Sequence, residues 1–543
     1  MKKRGLAAFL ITTLLLGMTA CGTTQETSSD ALTASEAGSD ATGAQTSASG
    51  AEGTSSEAGS VLVYGSNDYT RINPAMDEHG EINALLFDGL TDHDGDGQIV
   101  PRLAKSWEYD EETYTYLFHL EENVKWHDGE PFTSADVKFT IEAIMNPENH
   151  SENAANYEDV EEITTPDDFT VCFRLSAPNA AFLDDMTMAI LPKHLLEGED
   201  MQTSDFFRAP VGTGPYRLTS WEEGQAIVLD KNEEYFAGAA KIDRIIFKIA
   251  KDDQARALQL KSGELNLAQV TPKDATAFEG EEGYTVYDMK TSDYRGILYN
   301  FANEYWQKNA DLIIGINYAI DRQAMVDAVL LGKGEVAYSP LQRNQYNDEQ
   351  VEHYDFDLEK SEEAFLAAGC IRDEEGYWCR DGERIGFTIN ASSTDRVRIE
   401  MAQIAAQQLQ EAGLDVKAAV PAEGIDWGNQ ECCIIGWGSP FDADDHTYKV
   451  FGTDKGANYS SYSNPLVDEA LKKARETTVE SERAQYYADF QEALAKEPAY
   501  TFFCYIDAMY VSDGSVCGIS EDTVLGHHGV GIFWNVCEWT MDE

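Results

Sequence analysis

The stretch Gly436-Trp437-Gly438-Ser439-Pro440-Phe441-Asp442-Ala443-Asp444-Asp445-His446 gathers several kinds of ligand-binding chemistry. The aromatic faces of Trp437 and Phe441 can stack on a solute, or pack into a core. Asp442 and Asp445 can hold a cation, and His446 adds an imidazole. Three more histidines stand elsewhere: His79, after the first strand region, and His527-His528 in a Gly-rich C-terminal loop. If they met His446 and Asp442 or Asp445, the set would suit Ni²⁺, another borderline metal or a metal–chelator complex. If they stayed apart, His446 and His527 would be ordinary loop and core residues. Arg295, beside Tyr294, can clamp a carboxylate or form an ordinary surface salt bridge.

Other motifs argue against enzymes and nucleotide sites. No HExxH, GxSxG or Walker A lysine motif is present, so a binder rather than an enzyme is expected, with no cofactor. A surface peptidase or chaperone-like module is the rival class. Asp92-His93-Asp94-Gly95-Asp96-Gly97 starts like a calcium loop, but its twelfth position is Leu103 rather than a bidentate Glu, so it reads as a turn. Val211-Gly212-Thr213-Gly214-Pro215-Tyr216 is Gly-rich without a phosphate-binding lysine. His127, in the turn Trp126–Gly129, reads as structural. Cys370 and Cys379 flank a short polar stretch and either bridge or remain free thiols; vicinal Cys432-Cys433 reads as packing.

These groups need a scaffold, and the pattern alternates helices and strands, which predicts α/β lobes. Strands are expected at 61–64, 114–120, 242–249, 294–301 and 500–511. Helices are expected from Thr133, with Asp136 in a capping-box position, and over 254–260, 312–331, 358–368 and 397–412. Asn464-Pro465 opens another helix, and Thr477 with Glu480 reads as a further capping box. Cys432 to Ile435 is strand-like, so the Gly436–His446 stretch is expected on a loop leaving a strand, where clefts of α/β sheets form. At this length the body exceeds one hydrophobic core and two or more lobes are expected.

The N-terminus sets the compartment. Lys2, Lys3 and Arg4 precede an apolar run, Leu6–Leu16, too short to span a bilayer comfortably, and Met18-Thr19-Ala20-Cys21 follows. This is the pattern of a bacterial lipoprotein signal, with residues 1–20 removed and Cys21 carrying the lipid. Residues 21–60 hold no aromatic or basic residue and read as a disordered acidic tether from the outer face of the cell membrane. The net charge of −57 excludes nucleic acid as a partner and repels anionic lipid heads, leaving the lipid as the membrane contact.

Five blocks then fall in register: 99–108 (IVPRLAKSWE), 124–133 (VKWHDGEPFT), 211–216 (VGTGPY), 317–322 (NYAIDR) and 462–468 (YSNPLVD). In this order the chain resembles the family 5 extracellular solute-binding proteins of ABC transporters, the peptide/nickel-binding group. The resemblance implies an α/β, two-lobed, periplasmic-binding-protein-like (type II) fold. Lobe one would be 61–303 with an extra subdomain near 93–205, lobe two 304–503, and 504–543 a return to lobe one. Two extended crossings would form the hinge. It further implies a monomer that closes on a small solute and delivers it to permease subunits served by separate ATPase subunits. Peptide is the first expectation for the solute, nickel or a metal chelate the second. In peptide-binding relatives an aspartate three residues after the matching tryptophan pairs with the peptide ammonium. Here that place is Pro440. The metal-proximal histidine of the nickel branch corresponds by spacing to Lys455. The resemblance also turns the His79 loop toward the cleft.

Overall fold

The computed structural model describes residues 59–76 and 80–542. The leader, Cys21, all but the last two residues of the tether, and His79 lie outside the described residues.

The frame is one mixed eleven-stranded sheet. Along its edge-to-edge path run Asp415–Ala419, Gly386–Asn390, Cys432–Trp437, Thr285–Tyr299, Tyr500–Ser512, Leu267–Val270, Val61–Ser66, Arg244–Ile249, Ala226–Lys231 and Tyr216–Glu222. Gly334–Val336 pairs with Tyr500–Ser512 off this path. The near-continuous apolar runs Cys432–Trp437 and Tyr500–Ser512 are buried almost throughout, as strands covered on both faces must be.

Two strands are unusually long. Thr285–Tyr299 and Tyr500–Ser512 run antiparallel, and their two ends feed different cores. Met289, Ala508 and Tyr510 pack with residues of the first half of the chain, such as Leu62, Leu229 and Phe247. Ile297, Tyr299, Phe503 and Cys504 pack with Leu312, Trp378, Ile389 and Met401. Tyr294, Leu298, Tyr500 and Phe502 join a third cluster with Trp437, Phe451 and Tyr487. Between the two stretches of regular pairing, three residues of one strand (Thr291, Ser292, Asp293) oppose Ile506 alone. This bulge kinks the pair where the cores change over.

A separate antiparallel sheet orders Ala104–Asp110, Thr115–Leu120, Thr170–Leu175 and Val160–Asp167. Helix Ser134–Met145 accompanies it, opened by the Asp136 carboxylate, which accepts the Thr133 N–H at 2.9 Å. Gly212 and Gly214 are a packing device: a Cβ at Gly212 would lie 1.7 Å from the Leu86 carbonyl oxygen. His127 holds the same turn, accepting the Gly212 N–H at Nδ1 (3.1 Å) with Nε2 3.0 Å from the Gly214 carbonyl. Of the Asp92–Gly97 stretch, Asp92 and His93 end strand Thr91–His93 and the rest is the turn to strand Ile99–Pro101, with the Asp94 carboxylate accepting the Asp96 and Gln98 amides.

Local expectations changed in two places. The helix predicted over 312–331 is two helices, Leu312–Tyr318 and Arg322–Val329. Asp321 breaks it by accepting the Ala324 N–H at 3.0 Å, and Arg322 turns inward to the Phe502 carbonyl at 2.7 Å. Helix Glu480–Lys496 starts later than a Thr477 cap requires, and Thr477 instead accepts the Val479 N–H at 3.2 Å. Cys370 and Cys379 are free thiols in the structure.

Candidate functional site

Three segments meet at the bulge. Ser292 donates its N–H to the Leu525 carbonyl and Leu525 donates to Lys290, both at 2.8 Å, so the C-terminal chain adds itself along the kinked strand. This brings His527-His528 against Asp293. Gly438 lies on the same kink, and its carbonyl accepts the His527 N–H at 2.9 Å. The strand ending at Trp437 therefore delivers the 438–442 loop and the C-terminal loop to one place.

Beside this junction is a cavity of about 400 Å³, inside the usual range for small-molecule sites, roughly 300–1,000 Å³. Its lining draws Trp437, Ser439, Phe441, Asp442 and Asp445 from the segment 437–445, His527 and Trp534 from the C-terminal chain, and Asp88, Asp92, His93, Arg102, Asp184 and Asp185 from the first half of the chain. Among the described residues seven aspartates and one arginine line it, and no lysine does. Such a wall favours cationic solutes.

The expected residues fall into two groups. Trp437 lines the cavity with its ring nearly parallel to that of His527, centroids 5.8 Å apart. Phe441 lines it and stacks flat on His93 at 3.6 Å, joining the segment 437–445 to the first half of the chain. Asp442 lines it too, but its carboxylate caps helix Ala443–Phe451 through the Asp444 N–H (2.8 Å) and takes both Nη atoms of Arg483 at 2.5 and 2.6 Å. Asp445 is paired with Lys449 at 2.8 Å, which holds its carboxyl below the usual range against the opposing effect of burial. His446, Tyr294 and Arg295 are not lining residues. His446 sits buried on the core side of the helix, its Nδ1 without a partner among the described residues. Tyr294 is buried in the sheet. Arg295 is 2% exposed and bonded to Asp293, so it braces the bulged strand rather than presenting a fork to a solute carboxylate.

The histidines meet in part. His527, His528 and Asp293 each offer one ligand atom within 4.8 Å of the others. Asp293 is fully buried. Its Oδ1 faces His527 Nδ1 at 2.9 Å, and its Oδ2 accepts the His528 N–H at 3.0 Å. With Nδ1–H donated to that carboxylate, Nε2 is the unprotonated nitrogen of the His527 ring. Arg295 and Arg398 stand against the same group, with Arg398 Nη2 3.4 Å from His528 Nε2. Although His528 keeps an exposed edge, desolvation of its ring, then His527 and the two arginines, lower its pKa well below the ordinary value. The chain sets His446 apart from this group.

Asp293, His93, Asp184 and Asp185 were not singled out by sequence as ligand residues. Asp293 had a local signal: Thr291-Ser292-Asp293 is an unbroken polar run in the middle of a strand.

His446 gives a pH prediction. Burial lowers its pKa below 6.5 against the pull of Asp445, the Pro340 carbonyl and Asp442. Just below pH 6.5 the unfolded chain binds a proton that the folded chain does not. Stability therefore falls on acidification, by up to about 1.4 kcal/mol per pH unit for this group. Urea midpoints at pH 7.5 and 5.5 should differ less in His446→Gln than in the parent; an unchanged difference refutes the assignment.

Comparison with known proteins is consistent with this geometry. Residues 98–459 match the model of the bacterial extracellular solute-binding proteins, family 5. Protein XP55 of Streptomyces lividans is 32% identical over 472 residues, covering 84% of this chain and 85% of XP55. The crystal structure of NikZ from Campylobacter jejuni in complex with Ni(L-His) has a TM-score of 0.84 at 35% identity, covering 89% of this chain and 99% of NikZ. The oligopeptide-binding protein AppA of Bacillus subtilis, solved with a nonapeptide, has a TM-score of 0.81 at 25% identity over 89% of this chain and 99% of AppA. The α/β architecture is that of two-lobed periplasmic binding proteins.

Proposed function

We propose that this chain, which belongs to the family 5 bacterial extracellular solute-binding proteins, captures short peptides in the cavity beside the strand bulge and passes them to an ABC permease. The observation that carries the peptide reading is the cavity wall: aromatic faces at Trp437, Phe441 and Trp534 with a strong excess of aspartates. Aromatic walls accept varied side chains, and the acid excess suits a free peptide N-terminus. AppA, similar over most of its length, is named for oligopeptides.

The lobes are assigned as 61–303 with 504–543, and 304–503, hinged on the two long strands. Closure then requires contacts that are better in the closed state. Residues 1–20 would be cleaved and Cys21 lipidated, holding a monomer on the extracytoplasmic face. Permease and ATPase subunits would be separate chains. Small-angle scattering of the full chain tests capture by closure: adding a mixed tripeptide pool should reduce the radius of gyration. An unchanged radius at saturating peptide would sink the hinge assignment.

A second reading, nickel held by a chelator such as histidine, is favoured by one observation: the junction of Asp293, His527 and His528 beside the cavity. NikZ was solved with Ni(L-His). In this reading His527→Ala abolishes binding in a Ni(II)–L-histidine titration while leaving tripeptide binding absent in both proteins.

A further inference from the structure

Lys455, the residue that spacing matched to a metal-proximal histidine, does not line the cavity. It reaches instead to the first half of the chain, where its Nζ meets Glu158 Oε2 at 2.5 Å. Two neighbours make the same crossing: the Tyr448 hydroxyl donates to Glu158 Oε1, and the Tyr459 hydroxyl donates to Glu152 Oε1. Glu152 opens the 3-10 helix Glu152–Tyr157, whose Asn156 lines the cavity, and Glu158 follows that helix directly. The helix lies in the segment assigned to lobe one, yet its Ala155 packs in the third core cluster with residues assigned to lobe two, such as Phe451 and Tyr487. Arg475 ties the two backbones together. It donates to the Ala155 carbonyl at 2.8 Å, and its own carbonyl accepts the Ala180 N–H at 2.9 Å. Its guanidinium also lies over the Tyr448 ring, 3.6 Å from the centroid. The three side-chain pairs join positions 290 to 307 apart in sequence and belong to no sheet. They exist only while the two sides are together. The Lys455 and Glu158 side chains are 21% and 35% exposed, so solvent screens this pair less than an open surface bridge.

We propose that Glu152 and Glu158, gripped by Tyr459, Tyr448 and Lys455, form an interlobe clasp that sets the affinity for every solute while touching none. The proposal rests on the two-lobe assignment and goes beyond the peptide reading, since none of the five residues lines the cavity. The apparent affinity of a protein that binds only when closed is its intrinsic affinity multiplied by the closed fraction. Contacts made only on closure raise that fraction, whichever solute is present. Loss of the clasp therefore weakens all solutes by one common factor, whereas loss of a lining contact weakens them selectively.

The double variant Lys455→Met with Tyr459→Phe keeps the stem and the ring and removes the two groups that grip. The full-length parent and variant are dialysed against a mixed tripeptide pool, the retained peptides are read by mass spectrometry, and the solute-free radius of gyration of each is measured by small-angle scattering. The variant is expected to retain peptide about tenfold more weakly, in unchanged proportions, and to have the larger solute-free radius. Altered proportions would show that these side chains select solute directly, and would overturn the clasp. Undiminished retention, or a solute-free radius equal to the parent's, overturns it too. If the parent retains no peptide, the peptide reading fails and the two radii alone decide the clasp. If peptide compacts the parent yet the solute-free radii agree, the clasp fails and the hinge stands. Should the double variant not fold, Tyr459→Phe alone is read by the same two measurements, with retention about threefold weaker for one lost hydroxyl.

Discussion

Gly438→Ala is expected to cost about 3–5 kcal/mol of stability and to abolish solute binding in whatever fraction remains folded. Gly438 has φ of +145°, and an added Cβ would lie 1.9 Å from the Ser292 carbonyl oxygen. The obstacle is backbone, and it belongs to the bulge on which the site is assembled. Relief requires pushing the 438–442 loop off the bulged strand. That movement breaks the His527 N–H bond to the Gly438 carbonyl and tilts Trp437 away from His527. Gly428→Ala is the control, since its nearest non-neighbour atom is 3.7 Å from the added carbon. Chemical denaturation should shift the first variant strongly and the second by less than about 0.5 kcal/mol. Similar midpoints for the two would show that the loop does not bear on the bulge.

Arg483→Ala should be comparably damaging, by about 3–5 kcal/mol, because it strands a buried carboxylate. Arg483 grips Asp442 through both Nη atoms, donates Nε–H to the Ala474 carbonyl at 3.1 Å and lies over the Tyr346 and Tyr487 rings. Both charges are more than nine-tenths buried. Asp442 is at once the cap of helix Ala443–Phe451 and a lining residue, so losing the arginine unsettles the helix start and the cavity wall together. Removing both charges, as in Arg483→Met with Asp442→Ser, should recover most of the stability, since a serine still caps and no ion is left alone. Urea unfolding of the single and double variants checks this. A double variant no better than the single would place the arginine's contribution in packing rather than charge.

Much of the scaffold was legible in the sequence because it depends on short-range rules. Gly369 and Gly413 end helices at positive φ, Asn464 caps with Pro465 in the first turn, and the apolar runs at 432–437 and 500–511 are strands. The site was less legible because it depends on pairing over long separations. His446 looked available while the stretch was read as a loop. Asp442 in fact starts a helix there, and the helical turn faces His446 inward. Asp293 reaches His527 only because three residues oppose Ile506, a register that no local pattern encodes. Asp184-Asp185 had the composition of a surface turn. What distinguishes Asp185 is burial behind Tyr157, 28 positions away.

The tail beyond Leu525 supplies His527 and Trp534 to the cavity and Phe533, Val536 and Trp539 to the core. The cavity is thus completed by a segment far in sequence from the rest of its lining, and its shape depends on that segment staying seated along the bulged strand. Proteolytic removal of the residues beyond Leu525 should therefore abolish solute retention.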